Sequence, residues 1–101
     1  MEIIVEHKEG VCFITFNRPE VFNAFNKPMA MAVQNTLDAC EKDDTVRAVV
    51  LIGTGKAFCA GQDLAEVTDP NGPELKDIVG QHYNPIIKRI RAIEKPIIAA
   101  V

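Results

Sequence analysis

Eight residues, Ala57-Phe58-Cys59-Ala60-Gly61-Gln62-Asp63-Leu64, follow the apolar run Val46 to Ile52 and its closing Gly53, and precede the punctuated loop Asp69-Pro70-Asn71-Gly72-Pro73. Ala60 and Gly61 carry too little side chain to keep a ligand from the backbone, so a turn here can aim a peptide N–H at a substrate oxygen. A fixed donor that meets an oxyanion as it develops contributes about 3 kcal/mol in acyl-transfer chemistry. The same small residues also suit a tight turn that only permits close packing, and spacing alone leaves both readings open. The remaining chemistry-capable side chains are less telling. His7 sits in a polar turn and reads as solvated, while His82 lies on an apolar stripe and reads as a satisfied, partly buried histidine. Asp43-Asp44 reads as a helix terminator rather than a metal site, since no further oxygen ligands follow at a useful spacing. Glu66, Asp69 and Glu74 flank the punctuated loop and receive no role. Lys88, Arg89 and Arg91 read as a solvated helix face.

The elements that must position the 57–64 stretch are legible from periodicity. Ile3 to Glu6 and Val11 to Phe16 are β-rich runs around His7-Lys8-Glu9-Gly10, which predicts a hairpin, and Asn17-Arg18-Pro19-Glu20 ends the second strand. From Pro28 to Lys42, Met29, Val33, Thr36, Leu37 and Cys40 recur at helical spacing, with Asn26 or Lys27 near the cap. Val46 to Ile52 is nearly continuous apolar sequence, as expected of a parallel strand buried on both faces. Strand, helix and strand together predict a βαβ crossover. Leu75, Ile78, Val79, His82, Ile86, Ile90 and Ile93 trace a second helical stripe, which Pro85 should kink or divide at about Asn84. Ile97 to Val101 forms a further apolar strand after Pro96. An uncovered apolar strand would leave hydrophobic surface bare, which predicts that residues 1–101 are the amino-terminal portion of a single larger domain, with no second domain.

Composition bounds the function classes. The 101 residues are 48% hydrophobic and 25% charged with a net charge of −3, the balance of a globular chain and not of a disordered tail. Mild acidity argues against non-specific nucleic-acid binding, which needs a basic face. Cys12, Cys40 and Cys59 are odd in number and widely spaced, which points away from a disulfide framework or a Cys-x-x-Cys site and toward a reducing, cytoplasmic compartment. The acidic start MEIIVEHKEG does not read as a signal peptide, and no apolar run approaches the about 20 residues of a membrane span.

The segment AFCAGQDL resembles the first oxyanion-loop motif of the enoyl-CoA hydratase/isomerase (crotonase) superfamily. Asn17-Arg18-Pro19-Glu20-Val21-Phe22-Asn23-Ala24-Phe25 is similar to its NRPxxxNA motif, and Lys95-Pro96-Ile97-Ile98-Ala99-Ala100-Val101 to its KPxIAAV strand, in the same order. The stretches FCAGQDLAEVTDPNG and YNPIIKRIR are particularly similar to the branch that isomerises the ring epoxide of phenylacetyl-CoA, with short-chain enoyl-CoA hydratases as the runner-up. The resemblance implies an α/β fold, the amino-terminal part of the crotonase-like (ClpP/crotonase) ββα spiral.

It further implies that the peptide N–H of Gln62 is one of two donors to a thioester carbonyl. Glu20, Val21, Phe22, Ala24, Ala60, Gly61, Gln62, Asp63 and Leu64 would contact a bent acyl-CoA, with Asp63 fixing the loop rather than moving protons. No metal and no cofactor is implied; coenzyme A enters as part of the thioester substrate. The implied partners are that thioester and further copies of the chain, as trimers or hexamers, with neither nucleic acid nor membrane. In the family the second oxyanion donor lies in a glycine-rich NGxAxGGG segment after the IAAV strand, followed by the acid/base carboxylates. These 101 residues hold neither, so the polypeptide by itself is expected to lack turnover, and a non-catalytic binding or interaction module is the alternative reading.

Overall fold

Along Val11 to Phe16 every second side chain is buried: Cys12, Ile14 and Phe16 point into the core while Val11, Phe13 and Thr15 are half-buried. Alternation of this kind marks a strand with one covered face. A computed structural model describes residues 2–101 and makes this segment β2, paired antiparallel with β1, Ile3–Lys8. The reversal is confined to Glu9 and Gly10, whose φ angles of 52° and 83° are those of a type I′ turn. A two-residue turn lets His7 and Lys8 pair with Cys12 and Val11, so the first strand runs two residues past its expected end.

The predicted helix is α1, Lys27–Lys42. The Asn26 side chain accepts from the Met29 N–H at 3.1 Å, an N-cap worth about 1 kcal/mol, and Pro28 occupies the first turn, where a missing N–H costs nothing. Met29, Ala30, Val33, Leu37 and Cys40 are buried against the sheet, and each of the larger side chains contributes about 1.5–3 kcal/mol by leaving water. At the other end, Lys95 Nζ donates to Cys40 O at 2.5 Å and Asp43 O at 2.8 Å, covering carbonyls the helix leaves unpaired. Asp43 terminates the helix as anticipated, with its Oδ1 accepting from Thr45 N–H at 2.9 Å and Thr45 Oγ1 at 2.6 Å.

The chain returns as β3, Ala48–Gly53, parallel to β2, and later as β4, Ile97–Ala100, parallel to β3, giving a sheet of order β1-β2-β3-β4. The βαβ unit is therefore present. β3 departs from expectation in one respect. Val49 and Leu51 are buried, but Val50 is half-buried and Ile52 exposed, because α1 packs against one face of the sheet. On β4, Ile98 is exposed.

Short α2, Leu64–Thr68, precedes the second helical stripe, which comprises α3, Leu75–Asp77, a π-helical segment, Ile78–Tyr83, and α4, Asn84–Ala92. Ile78, His82, Ile86 and Ile93 are buried, whereas Leu75 and Val79 are exposed, contrary to the stripe. Pro85 lies in the first turn of α4, and the π-helical segment gives way to α4 at Asn84, where the sequence predicts a kink or a division. The wide π turn absorbs the proline, and Gln34 of α1 donates its Nε2 to Gln81 O at 2.7 Å and His82 O at 3.2 Å. Gln81 O is the carbonyl to which a residue 85 with an N–H would donate in an α-helix. Arg89 is not merely solvated: its guanidinium forks onto Asp38 of α1 at 2.8 and 3.2 Å. Burial, followed by a hydrogen bond to Cys40, pushes the Cys12 thiol up to about 12, so it stays a packing thiol and no nucleophile.

Candidate functional site

Two loops, one after β2 and one after β3, are laced together where the crossover leaves the sheet. The first contains consecutive residues in the left-handed region, Phe22 at φ 53° and Asn23 at φ 59°. Asparagine tolerates that conformation because its side chain can hydrogen-bond nearby backbone. Asn23 is fully buried; its Oδ1 accepts from Arg18 N–H at 2.8 Å and its Nδ2 donates to Thr54 O at 3.0 Å and Ala57 O at 2.7 Å. Arg18 continues the lacing, with Nη1 donating to Ala24 O at 2.6 Å and Nη2 to Asp63 Oδ2 at 2.8 Å. The hydrogen bond from Arg18 holds the Asp63 carboxyl below its ordinary pKa, opposed by desolvation and aided by the Ala65 N–H. Asp63 also caps α2 through that N–H, so its role in the structure is scaffolding.

The second loop runs alongside the first. Phe25 N–H donates to Gly61 O at 2.7 Å and Asp63 N–H donates to Phe25 O at 2.8 Å, forming a parallel bridge opposite Gln62. Such pairing uses the groups flanking Gln62 and turns its own N–H and C=O to the other side. The neighbouring N–H groups are occupied: Ala60 donates to Phe22 O at 3.0 Å and Gly61 to Cys59 Sγ at 3.4 Å. Among the described residues, Gln62 alone of positions 60 to 63 keeps its N–H out of this lacing. Gly61 holds φ 109°, which an L side chain rarely adopts, while a Cβ there would meet nothing within 4 Å. The glycine is thus required for backbone conformation rather than for room.

Val21, Ala24, Ala60, Gln62, Asp63 and Leu64 line a cavity of about 520 Å³ between the loops. Six of the nine residues singled out from the sequence therefore share one wall system. Glu20 lines an adjoining polar depression with Glu2, Asn17, Arg18 and Pro19, and Phe22 and Gly61 line neither. Phe22 and Leu64 are exposed apolar side chains at this place. No group of three His, Cys, Asp or Glu side chains is arranged to hold a metal among the described residues.

Behind the cavity lies a polar cluster that sequence reasoning missed. Tyr83 donates its hydroxyl to Gln62 Oε1 at 2.6 Å, and Gln62 Nε2 donates to Glu66 Oε1 at 2.9 Å. Glu66 Oε2 accepts from the Lys27 N–H at 2.9 Å. Burial, then the charges of Cys59 and Glu66, push the Tyr83 hydroxyl up to about 12, so it remains a donor across the physiological range. Its ring packs 5.9 Å from Phe25, which continues through Phe16 at 5.1 Å to Phe58 at 5.2 Å. His82 is buried as expected but not satisfied: Nδ1 has no hydrogen-bond partner and lies 3.8 Å from Glu66 Oε1, too far for a hydrogen bond. The i, i+4 spacing of Gln62 and Glu66 was the one local signal of this cluster; Tyr83 had none.

Residues 6–101 match the model of the enoyl-CoA hydratase/isomerase family. The chain belongs to that family. It is 45% identical to 1,2-epoxyphenylacetyl-CoA isomerase of Escherichia coli strain K12, over 100% of this chain and 40% of that protein. It is also 39% identical to 4-chlorobenzoyl coenzyme A dehalogenase-2 of an Arthrobacter species, over 98% of the chain and 37% of the relative. A solved enoyl-CoA hydratase of Mycobacterium smegmatis superposes with a TM-score of 0.90 at 34% identity, covering 100% of this chain and 40% of that one. The fold is thus the amino-terminal part of the crotonase-like α/β architecture, and the chain spans about 40% of the length of the relatives it matches.

Proposed function

We propose that the chain forms the acyl-CoA-binding part of an enzyme of this family that polarises a thioester carbonyl for hydration or for double-bond or ring isomerisation. The observation that carries the reading is the Gln62 N–H, left outside the lacing of the two loops at the wall of the 520 Å³ cavity. In this reading that N–H is one oxyanion donor, and it stabilises the negative charge that grows on the carbonyl oxygen as an enolate-like intermediate forms. Val21, Ala24, Ala60 and Leu64 hold the thioester and pantetheine, Glu20 and Phe22 flank the nucleotide end, Gly61 supplies the turn, and Asp63 with Arg18 keeps the loop in place. The second donor and the acid/base carboxylates come from outside residues 1–101, so this polypeptide binds the thioester without turning it over. A cytoplasmic, homotrimeric or hexameric parent that isomerises the ring epoxide of phenylacetyl-CoA accords with the first-named relative; an enoyl-CoA hydratase is the competing activity.

Calorimetric titration with an enoyl-CoA and with free coenzyme A tests the reading. Saturable thioester binding is expected, weakened in Gly61→Val, whose φ of 109° a β-branched residue resists. Binding that is unchanged in this variant rejects the proposed loop geometry. The exposed Ile98 favours a second reading, a non-catalytic module that associates through β4. It predicts no thioester binding together with concentration-dependent mass in light scattering.

A further inference from the structure

A peptide donor outside regular secondary structure acts as a preorganised dipole only when its peptide plane is held. Misplacement by about 1 Å can cost about a hundredfold in rate. Gln62 is itself the bridge partner of Phe25, two residues before α2, and its main chain is held through its neighbours' bonds, Phe25 N–H to Gly61 O and Asp63 N–H to Phe25 O. Its side chain is held as well. Oε1 accepts from Tyr83 at 2.6 Å and Nε2 donates to Glu66 at 2.9 Å, so both ends of the amide are occupied.

Each holder is anchored elsewhere. Glu66 is tied by its second oxygen to the Lys27 N–H at the first turn of α1, and its side chain is 16% exposed. Tyr83 sits at the end of the π-helical segment, with its ring against Phe25, the residue that also pairs with the main chain around Gln62. Glu66 Oε1 also stands 3.8 Å from the buried His82 Nδ1, so that oxygen has one strong donor, Gln62, at hydrogen-bond distance. The amide of a solvated glutamine would instead exchange partners with water, leaving the Phe25 N–H to Gly61 O bond alone to hold the peptide plane.

We propose that Tyr83 and Glu66 are positioning residues for the Gln62 N–H: they clamp the two ends of the Gln62 side-chain amide and thereby fix the peptide unit that faces the thioester carbonyl. The inference rests on the oxyanion-donor reading of Gln62. It assigns neither residue a proton transfer, and Tyr83 and Glu66 need not touch the substrate.

The test uses the 101-residue chain and a 2-enoyl-CoA carrying carbon-13 at the thioester carbonyl. The carbonyl resonance of the bound ligand reports polarisation, and calorimetry reports affinity. In the wild-type chain the resonance moves downfield on binding. In Tyr83→Phe and Glu66→Ala it returns most of the way to the free value while Kd changes by less than about fivefold, the change attributable to one neutral hydrogen bond. Tyr83→Phe, which keeps the ring packing, decides the matter if Glu66→Ala does not fold by circular dichroism. Variants that keep the wild-type displacement overturn the inference and leave the Gln62 reading standing. Variants that lose displacement only in proportion to lost binding overturn it too, since that is the signature of a merely structural role. A wild-type chain that binds without displacement, or does not bind, removes the Gln62 reading and this inference with it.

Discussion

Replacement of Asn23 by alanine probes the lacing of the two loops most directly. The side chain is fully buried and makes hydrogen bonds of 2.8, 3.0 and 2.7 Å to Arg18 N–H, Thr54 O and Ala57 O. Each neutral bond contributes about 1 kcal/mol net, and truncation leaves three backbone groups without their partner, so the bonds together account for about 3 kcal/mol. Residue 23 also sits at φ 59°, where alanine is about 1 kcal/mol less at ease than asparagine. The expected loss for Asn23→Ala is therefore about 4 kcal/mol, a large share of the about 5–15 kcal/mol that a domain of this size possesses. Asn23→Gly loses the same bonds without the strain, so it should fall about 3 kcal/mol below wild type. Urea unfolding followed by far-ultraviolet circular dichroism measures both. A loss below about 1 kcal/mol for the alanine variant would mean that the three bonds are replaced by water at no cost. A glycine variant clearly less stable than the alanine variant would mean that backbone strain at position 23 has been misassigned.

Other expectations follow from the same geometry. Asp63 has a lower pKa folded than unfolded, chiefly through Arg18, so its contribution to stability is complete above about pH 4 and is lost as pH falls through the folded value; acid unfolding should start at higher pH in Arg18→Met, and an unshifted acid limb contradicts the assignment. Gln34→Leu should destabilise by about 1–2 kcal/mol, but less in a Pro85→Ala background, where residue 85 regains an N–H for Gln81 O; additive effects in this double-mutant cycle exclude the compensation. Lys95→Met removes the donor to Cys40 O and Asp43 O and should cost about 1 kcal/mol in thermal unfolding, an effect that raised salt leaves largely intact if hydrogen bonding dominates and abolishes if the helix dipole does.

Much of the fold was legible because its signals are local. The Glu9-Gly10 reversal, the Asn26 cap with Pro28 behind it, and the three-and-four spacing from Met29 to Cys40 each act within one turn of the chain. The 57–64 loop was legible for a different reason: alanine and glycine at a strand end leave backbone accessible, and that is a property of residue type. Where the reading fell short, the cause was long-range. Gln34 compensates Pro85 from 51 positions away in sequence, and no periodicity within residues 75–93 announces it. Arg89 looked solvated because its partner, Asp38, lies on another helix.

The sequence by itself determined which backbone would be bare at the end of β3, since that depends on side chains too small to cover it and on a glycine able to hold φ 109°. Only the tertiary structure decided which of the bare N–H groups is left over. Ala60, Gly61 and Asp63 spend theirs on Phe22, Cys59 and Phe25, while Gln62 is turned outward with its amide held between Tyr83 and Glu66. Those partners arrive from the preceding loop, α2 and the π-helical segment. Their meeting is set by how the crossover packs on the sheet, an outcome of the whole core that no single segment encodes.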